Sequence, residues 1–446
     1  IKNRIEFYNE FLVVDVLIIN GAAAGVVALD LGTGELFLFR AKAVIFATGG
    51  HGRMWPVTSN AFAYTGDGVA VALRRGIPAE DMEFFQFHPT GILKLGILIT
   101  EAVRGEGGIL LNGQGERFMP NYAPRVKDLA SRDVVSRAMY LEMREGRGID
   151  GKDFLHLDVR PETVNHYARV DGRTRPDGSP YEVDGKEILS KIPDIVDFCE
   201  TYLGVDPLTQ PIPVQPTAHY AMGGIPTNHL GQVVIDEKNT VLPGLYAAGE
   251  TACVSVHGAN RLGTNSLLDL IVFGKHAGLD AAAYAAGADL PALPAEAVDP
   301  AKTSLAALRS ADGSEQAAVL RSEMREVMSR DVGVFRTENG LREAVEKLEE
   351  LRQRFRHVKV SDPGNRYNTE LVSAWELGNL LDLALVTSHS ALARRESRGA
   401  HSREDYPRRD DQNWLKHTLA WLDDDRVRLG YKPVMMTRFE LKERTY

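Results

Sequence analysis

Only two cysteines, Cys199 and Cys253, occur in 446 residues, far apart and in no CxxC spacing. Two thiols cannot form a disulfide framework, nor hold an iron–sulfur cluster or a zinc ion by themselves. Positive charge is not in excess either. The 52 Lys and Arg stand against 61 Asp and Glu, a formal net charge of −9. Such a surface, without a basic stripe, repels phosphate backbones and argues against a nucleic-acid partner. Long apolar runs are also missing. Phe11–Ile19 is broken by Asp15, and a membrane helix needs about 18 residues. No secretory or transit pattern is present. The expectation is a soluble chain of a reducing compartment.

What is there is ordinary for a globular protein: 25% charged and 44% hydrophobic residues, in a length that allows two to four domains of about 100–200 residues. Residues 5–47 read as strands. Phe11–Ile19 reaches a turn at Asn20-Gly21, Gly25–Leu31 reaches another at Gly32-Thr33-Gly34, and Leu36–Arg40 and Ala43–Ala47 follow. The last run ends in Thr48-Gly49-Gly50, a tight turn that lets backbone approach a ligand. Gly66-Asp67-Gly68 precedes a helical pattern. From Phe84 to Pro216 turns are frequent and one helix, Arg132 to Arg144, stands out, as in an inserted lobe. Strand and glycine texture returns between His219 and Gly249, followed by a helix from Asn265 to about Ala286. Gly287–Pro300 reads as a linker. Leu341, Val345, Leu348, Leu351 and Phe355 fall at helical spacing, as do Leu377, Leu380, Leu381 and Ala384. That is the pattern of packed helices without chemistry. Residues 401–446 are Arg-rich and mixed in sign, the pattern of a solvated or interface surface.

The densest chemistry lies in GETACVSVHGANRLGTNSLLDL, residues 249–270. A glycine-rich turn enters a helix at Asn265, Ser266 and Leu267, whose unpaired amides and positive dipole end suit an anion, or a ring that becomes anionic on reduction. The same residues equally fit an ordinary capped helix. On the Arg132 helix, Arg132 is in phase with Met139 and Met143 and so borders the apolar face, whereas Arg137 points away. A cation there needs a reason, of which Asp133 or a snorkelling stem are the cheapest. Taken singly, His88 and His219 read as satisfied buried histidines, Thr100 as a strand residue, Arg261 as half of an ion pair, and Asp67 as a turn or cap.

HGANRLGTNSLLDL at 257–270 resembles the flavin-contacting segment of the succinate dehydrogenase and fumarate reductase flavoprotein subunits. The likeness continues in FQFHPTG at 85–91, LITEAVRGEGG at 98–108, ASRDVVSR at 130–137, TAHYAMGG at 217–224 and GLYAAGE at 244–250. ESRGAHSREDYP at 396–407 and YKPVMMTRFE at 431–440 extend it to the far end. The resemblance implies an α/β, Rossmann-like FAD-binding domain, incomplete at its amino terminus, with an inserted α+β capping domain, a helical domain and a small C-terminal domain. The implied boundaries are 1–83 and 218–286 for the FAD-binding parts, 84–217 for the capping domain, 287–400 for the linker and helical domain, and 401–446 for the last. The family's dinucleotide fingerprint and flavin-tethering histidine would lie before Ile1, so no histidine here inherits that tether.

The activity implied is oxidation of succinate to fumarate by hydride transfer to FAD, with fumarate reduction, L-aspartate oxidation and a non-catalytic scaffold as rivals. A four-carbon dicarboxylate needs two separate donor groups. The resemblance assigns His88 and Thr100 to one end and His219 and Arg261, in or near the returning flavin domain, to the other; Arg261 can grip a carboxylate bidentately. Arg132 would exchange the proton with substrate, relayed through Glu101 and Arg104. Gly49, Gly50, Asp67, Glu250, Ser266 and Leu267 would hold FAD, with no metal ligands. His257 stays structural, near the flavin, and His51 has no assigned role. The implied partners are an iron–sulfur subunit and membrane anchor subunits, placing the chain on the cytoplasmic face of an inner or plasma membrane.

Overall fold

The computed structural model describes residues 5–310 and 313–442, which divide into two compact units. The first unit comprises the described residues up to Pro56, with Asn60–Phe85 and Tyr220–Met435. The second comprises Val57–Ser59, Gln86–His219 and the described residues from Met436. No described helix is long and apolar enough to cross a membrane.

The first unit opens with an antiparallel meander of strands Phe11–Ile19, Ala22–Asp30 and Leu36–Arg40. Asn20 (φ 51°) and Gly21 (φ 76°) make the first hairpin, the two-residue left-handed turn that matches strand twist. The second strand starts three residues before the predicted Gly25. Val14, Leu17, Val27 and Leu29 from this sheet share one core with Leu305, Leu371 and Trp375, so the helices after residue 287 bury their faces against the meander. The predicted apolar rows lie on helices Glu338–Phe355 and Thr369–Ala393, with Leu341, Leu348, Leu377 and Leu380 fully buried. Strands Val44–Phe46 and Val241–Ala247 pair in parallel, Leu245 opposite Val44 and Ala247 opposite Phe46. Their carboxyl ends deliver Thr48-Gly49-Gly50 and Gly249-Glu250, the side of a parallel pair where ligands bind in open α/β sheets.

Part of the stretch after residue 401 departs from the expected solvated or interface surface. Strand Lys416–Asp423 pairs antiparallel with Ala79–Glu80, and His401, Arg403 and Thr418 are buried. Arg403 is held by Asp405 at 2.8 Å, and Arg394 by Glu83 at 2.6 Å and Glu396 at 3.0 Å. His401 accepts from Arg336 through Nδ1 at 2.7 Å and donates to the Arg394 carbonyl at 3.1 Å. Burial holds its pKa well below the ordinary value. Around these residues mixed charge encodes internal pairing, while most other charged residues after Arg403 are exposed or half-buried.

In the second unit a four-stranded sheet runs in the order Phe85–Ile92, Ile212–Ala221, Leu155–Asp158, Ile109–Leu111. Phe85–Ile92 is an edge, where Pro89 is tolerated because the ladder needs no amide from it. Gly91 is required by contact: a Cβ there would lie 2.0 Å from Thr217 Oγ1. Val135 and Met139 of helix Arg132–Glu142 pack into a core with Leu110, Leu155, Leu157 and Ile212. The helix stops two residues short of the predicted Arg144, giving way to a wider turn at Met143–Arg147 that contains Gly146 (φ 78°).

Candidate active site

The second unit gathers His88, Thr100, Glu101, Arg104, Arg132 and His219. Arg132 is the first residue of its helix, where the dipole opposes a cation. Compensation comes from Glu101: Arg132 Nε donates to Oε1 at 2.8 Å and Nη2 to Oε2 at 3.2 Å, a bidentate grip. The third arm, Nη1, donates to Gln86 Oε1 at 2.9 Å. Asp133, the cheap partner considered from sequence, pairs instead with Arg137 at 3.2 Å. Arg104 lies 3.8 Å from Glu101 Oε1 and donates to the Asp128 and Ala130 carbonyls. Burial pushes its pKa below the ordinary guanidinium value, Glu101 and Asp128 opposing and Arg132 adding to the fall. Arg132, Glu101 and Arg104 thus form a continuous line of charged donors and acceptors.

His88 is fully buried on the edge strand, its Nδ1 facing the Thr90 amide at 3.2 Å. Its ring meets that of His219 edge to face, centroids 5.4 Å apart. His219 belongs to this unit, not to the unit of Arg261, and Ser59 Oγ lies 2.7 Å from its Nδ1. Thr100 is exposed, its Oγ1 receiving the Ala102 amide at 3.4 Å. Sequence reasoning passed over Gln86 and Ser59. Gln86 had a signal, since residues 86 and 88 share one face of a strand. Ser59 had none.

The first unit holds Gly49, Gly50, Asp67, Glu250, Arg261, Ser266 and Leu267. Gly49 takes φ 74°. A Cβ on Gly50 would sit 2.4 Å from Glu250 Oε1. That carboxylate accepts from the Ala221 amide at 3.0 Å. Burial pushes its pKa up to about 7, with the Ala221 bond and Arg261 pulling down and Asp269 pushing up. The Arg261 guanidinium lies 4.3 Å above the Tyr220 ring. Tyr220 is fixed in turn by His257 at 3.2 Å and Asp269 at 3.5 Å, and His257 by Asp269 at 3.2 Å. Tyr220 and Asp269 are further supports the sequence did not single out.

Asp67 is spoken for: it accepts from Thr65 Oγ1 at 2.9 Å and Asn379 Nδ2 at 2.6 Å, and burial raises its pKa. The Leu267 amide donates to the Thr264 carbonyl at 3.0 Å and that of Asn265 to Leu262 at 3.3 Å. Both are therefore turned from a ligand. Ser266 is half-buried on the same first turn.

These residues suit FAD. A glycine pair admits backbone contact, Glu250 can accept from sugar or ribityl hydroxyls, and a 23-residue helix presents its positive end. Buried directly after Gly50, His51 Nδ1 has no partner among the described residues, and burial lowers the ring's pKa to about 4. It is a neutral polar atom left available to a ligand.

A family model described as FAD binding domain matches residues 1–267, and one described as fumarate reductase flavoprotein C-term matches 321–446. The succinate dehydrogenase flavoprotein subunit of Rickettsia bellii (strain RML369-C) is 48% identical, over 98% of this chain and 71% of its own length. The fumarate reductase flavoprotein subunit of Proteus vulgaris is 41% identical, over 99% and 72%. Among solved structures, E. coli quinol fumarate reductase superposes with a TM-score of 0.86 at 38% identity, covering 97% of this chain and 72% of that one. Mycobacterium smegmatis Sdh1 in complex with UQ1 gives 0.79 at 36%, covering 97% and 69%.

Proposed function

Since the chain belongs to the succinate dehydrogenase and fumarate reductase flavoprotein subunit family, we propose that it oxidises succinate to fumarate as the FAD-dependent flavoprotein subunit of a succinate:quinone oxidoreductase. Bound FAD supplies a hydride acceptor. The chain's own residues supply charge, orientation and a proton path.

Arg132 takes the proton from the substrate carbon next to the one that loses hydride as it hands one of its own N–H protons to Glu101, so that its charge is unchanged. A guanidinium is an unusual base. The reading is supported by its surroundings: Glu101 holds two of its nitrogens and Arg104 stands behind Glu101, so a proton arriving at Arg132 has an acidic neighbour to pass to. In reverse, the same guanidinium is an easily accepted acid for fumarate. The two carboxylates are assigned to separate donors, His88 and Thr100 for one, His219 and Arg261 for the other. Gly49, Gly50, Glu250 and Ser266 are assigned to the cofactor. Asp67 and Leu267 act there only by exchanging a present partner.

Electrons leave through a partner, because two buried cysteines cannot hold an iron–sulfur cluster. Relatives of the chain are named as subunits. On this reading the partners are an iron–sulfur subunit and membrane anchors, and the chain sits at the cytoplasmic face of an inner or plasma membrane. Likeness to the Proteus vulgaris fumarate reductase subunit keeps the reverse direction as a second reading.

The observation that carries the mechanism is the bidentate Arg132–Glu101 pair at a helix start. Arg132→Ala is expected to lower succinate-dependent dye reduction by about 10²- to 10⁴-fold, the usual worth of a positioned acid–base group, with succinate still bound. A variant of unchanged rate removes Arg132 from the proton path.

A further inference from the structure

The first unit contains a cavity of about 480 Å³ that plays no part in the reaction above. Its volume falls in the range of small-molecule sites, roughly 300–1,000 Å³. The walls are apolar: Val14, Leu308, Phe355, Val358, Trp375 and Leu381. The indole N–H of Trp375 is buried and finds no acceptor among the described residues. Four guanidiniums also line the space, Arg74, Arg75, Arg352 and Arg356, against three carboxylates, Asp15, Asp382 and Asp425. One positive charge is left over.

The three carboxylates differ in kind. Asp15 and Asp382 are largely buried and act as fixed struts. Asp15 grips Arg75 through two nitrogens, and Asp382 binds Arg74 at 3.1 Å and Arg352 at 3.0 Å. Asp425 is 44% exposed, on the tight turn between strands Lys416–Asp423 and Arg426–Pro433. It reaches Arg352 Nη1 at 3.4 Å and Arg356 Nη2 at 2.5 Å. The struts fix Arg74, Arg75 and Arg352 in place. Among the described residues Arg356 is held by the turn carboxylate alone, and that carboxylate sits where an external one would bind. Each guanidinium has five donors, so the pair is not exhausted by Asp425.

We propose that this cavity binds a small organic monoanion, with a flat apolar body along Trp375 and Phe355 and a carboxylate head that replaces Asp425 on Arg352 and Arg356. Apolar walls supply the burial term, and the released turn carboxylate returns to water at little cost because it is already exposed. The site is independent of the succinate reading.

The test is calorimetric titration of the full-length, flavin-containing protein with naphthoate, and with naphthalenemethanol, the same rings without the charge. Naphthoate is expected to saturate one site. Arg356→Gln should weaken it about tenfold and Asp425→Asn should tighten it about threefold, as expected for losing a charge-assisted bond and losing a competitor. The alcohol should bind more weakly and ignore both substitutions. Both side chains are largely exposed, so the variants keep the fold. The proposal is overturned by absent saturation, by equal affinity for the two probes, or by naphthoate binding that Arg356→Gln leaves intact or Asp425→Asn fails to tighten.

Discussion

Buried beside Gly50 and the Ala221 amide, the Glu250 carboxyl titrates at about 7, so near neutral pH it is divided between acid and anion. Both forms can accept from a hydroxyl, but the anion accepts a charge-assisted and stronger bond. A cofactor hydroxyl bound to it therefore favours the ionised form, and acidification through the free pKa must oppose binding. FAD affinity of the flavin-free protein is expected to fall as pH drops below about 7, by at most tenfold per unit. Glu250→Gln should abolish that slope in a fluorescence titration; a slope that survives removes Glu250 from the cofactor site. Ser59→Ala loses the 2.7 Å contact that orients His219. Succinate KM should then rise about threefold to tenfold with kcat little changed. These residues were unequally legible. Arg132 could be placed on the inner edge of its helix by phase, and Gln86 by strand alternation. Ser59 could not, because 160 residues separate it from His219, and no periodicity links positions that meet only after folding.

Helices and hairpins were legible wherever a local rule governs them. Asn20-Gly21 named its turn, and the leucine rows named the helices Glu338–Phe355 and Thr369–Ala393. The burial of Arg394, His401 and Arg403 was not, since mixed charge reads as surface when the partners are distant. Arg394 joins Glu83, Glu396 and the Lys416 carbonyl inside the fold. Arg394→Met leaves the buried Glu83 carboxylate without its ion-pair partner, while Glu396 keeps Arg398, and should cost about 3–5 kcal/mol in urea unfolding. Arg342→Ala, which breaks only an exposed pair with Glu338, should change stability by at most about 0.5 kcal/mol. Equal effects would show that the buried network is not a structural tie. Asn368 caps helix Thr369–Ala393 through the Leu371 amide at 2.8 Å and also donates to the Asp362 and Gly364 carbonyls. Asn368→Ala should therefore cost at least about 1 kcal/mol in the same assay.

At the scale of the molecule, the order of short motifs along the chain carried most of the reading, because each joins residues whose types are hard to explain alone. His88 beside Pro89, Arg132 opening a helix and Gly50 against Glu250 find their reasons in an edge strand, an acidic partner and a close approach. What the motifs could not show is how internal charge is balanced across a chain of net charge −9. Arg132, Glu101 and His88 lie in one unit, and Arg261 and Glu250 in the other. The direct test is anaerobic addition of succinate to the full-length protein carrying FAD. The account requires the oxidised flavin band to bleach with one fumarate formed per flavin. A flavin that dithionite reduces but succinate leaves oxidised would contradict it.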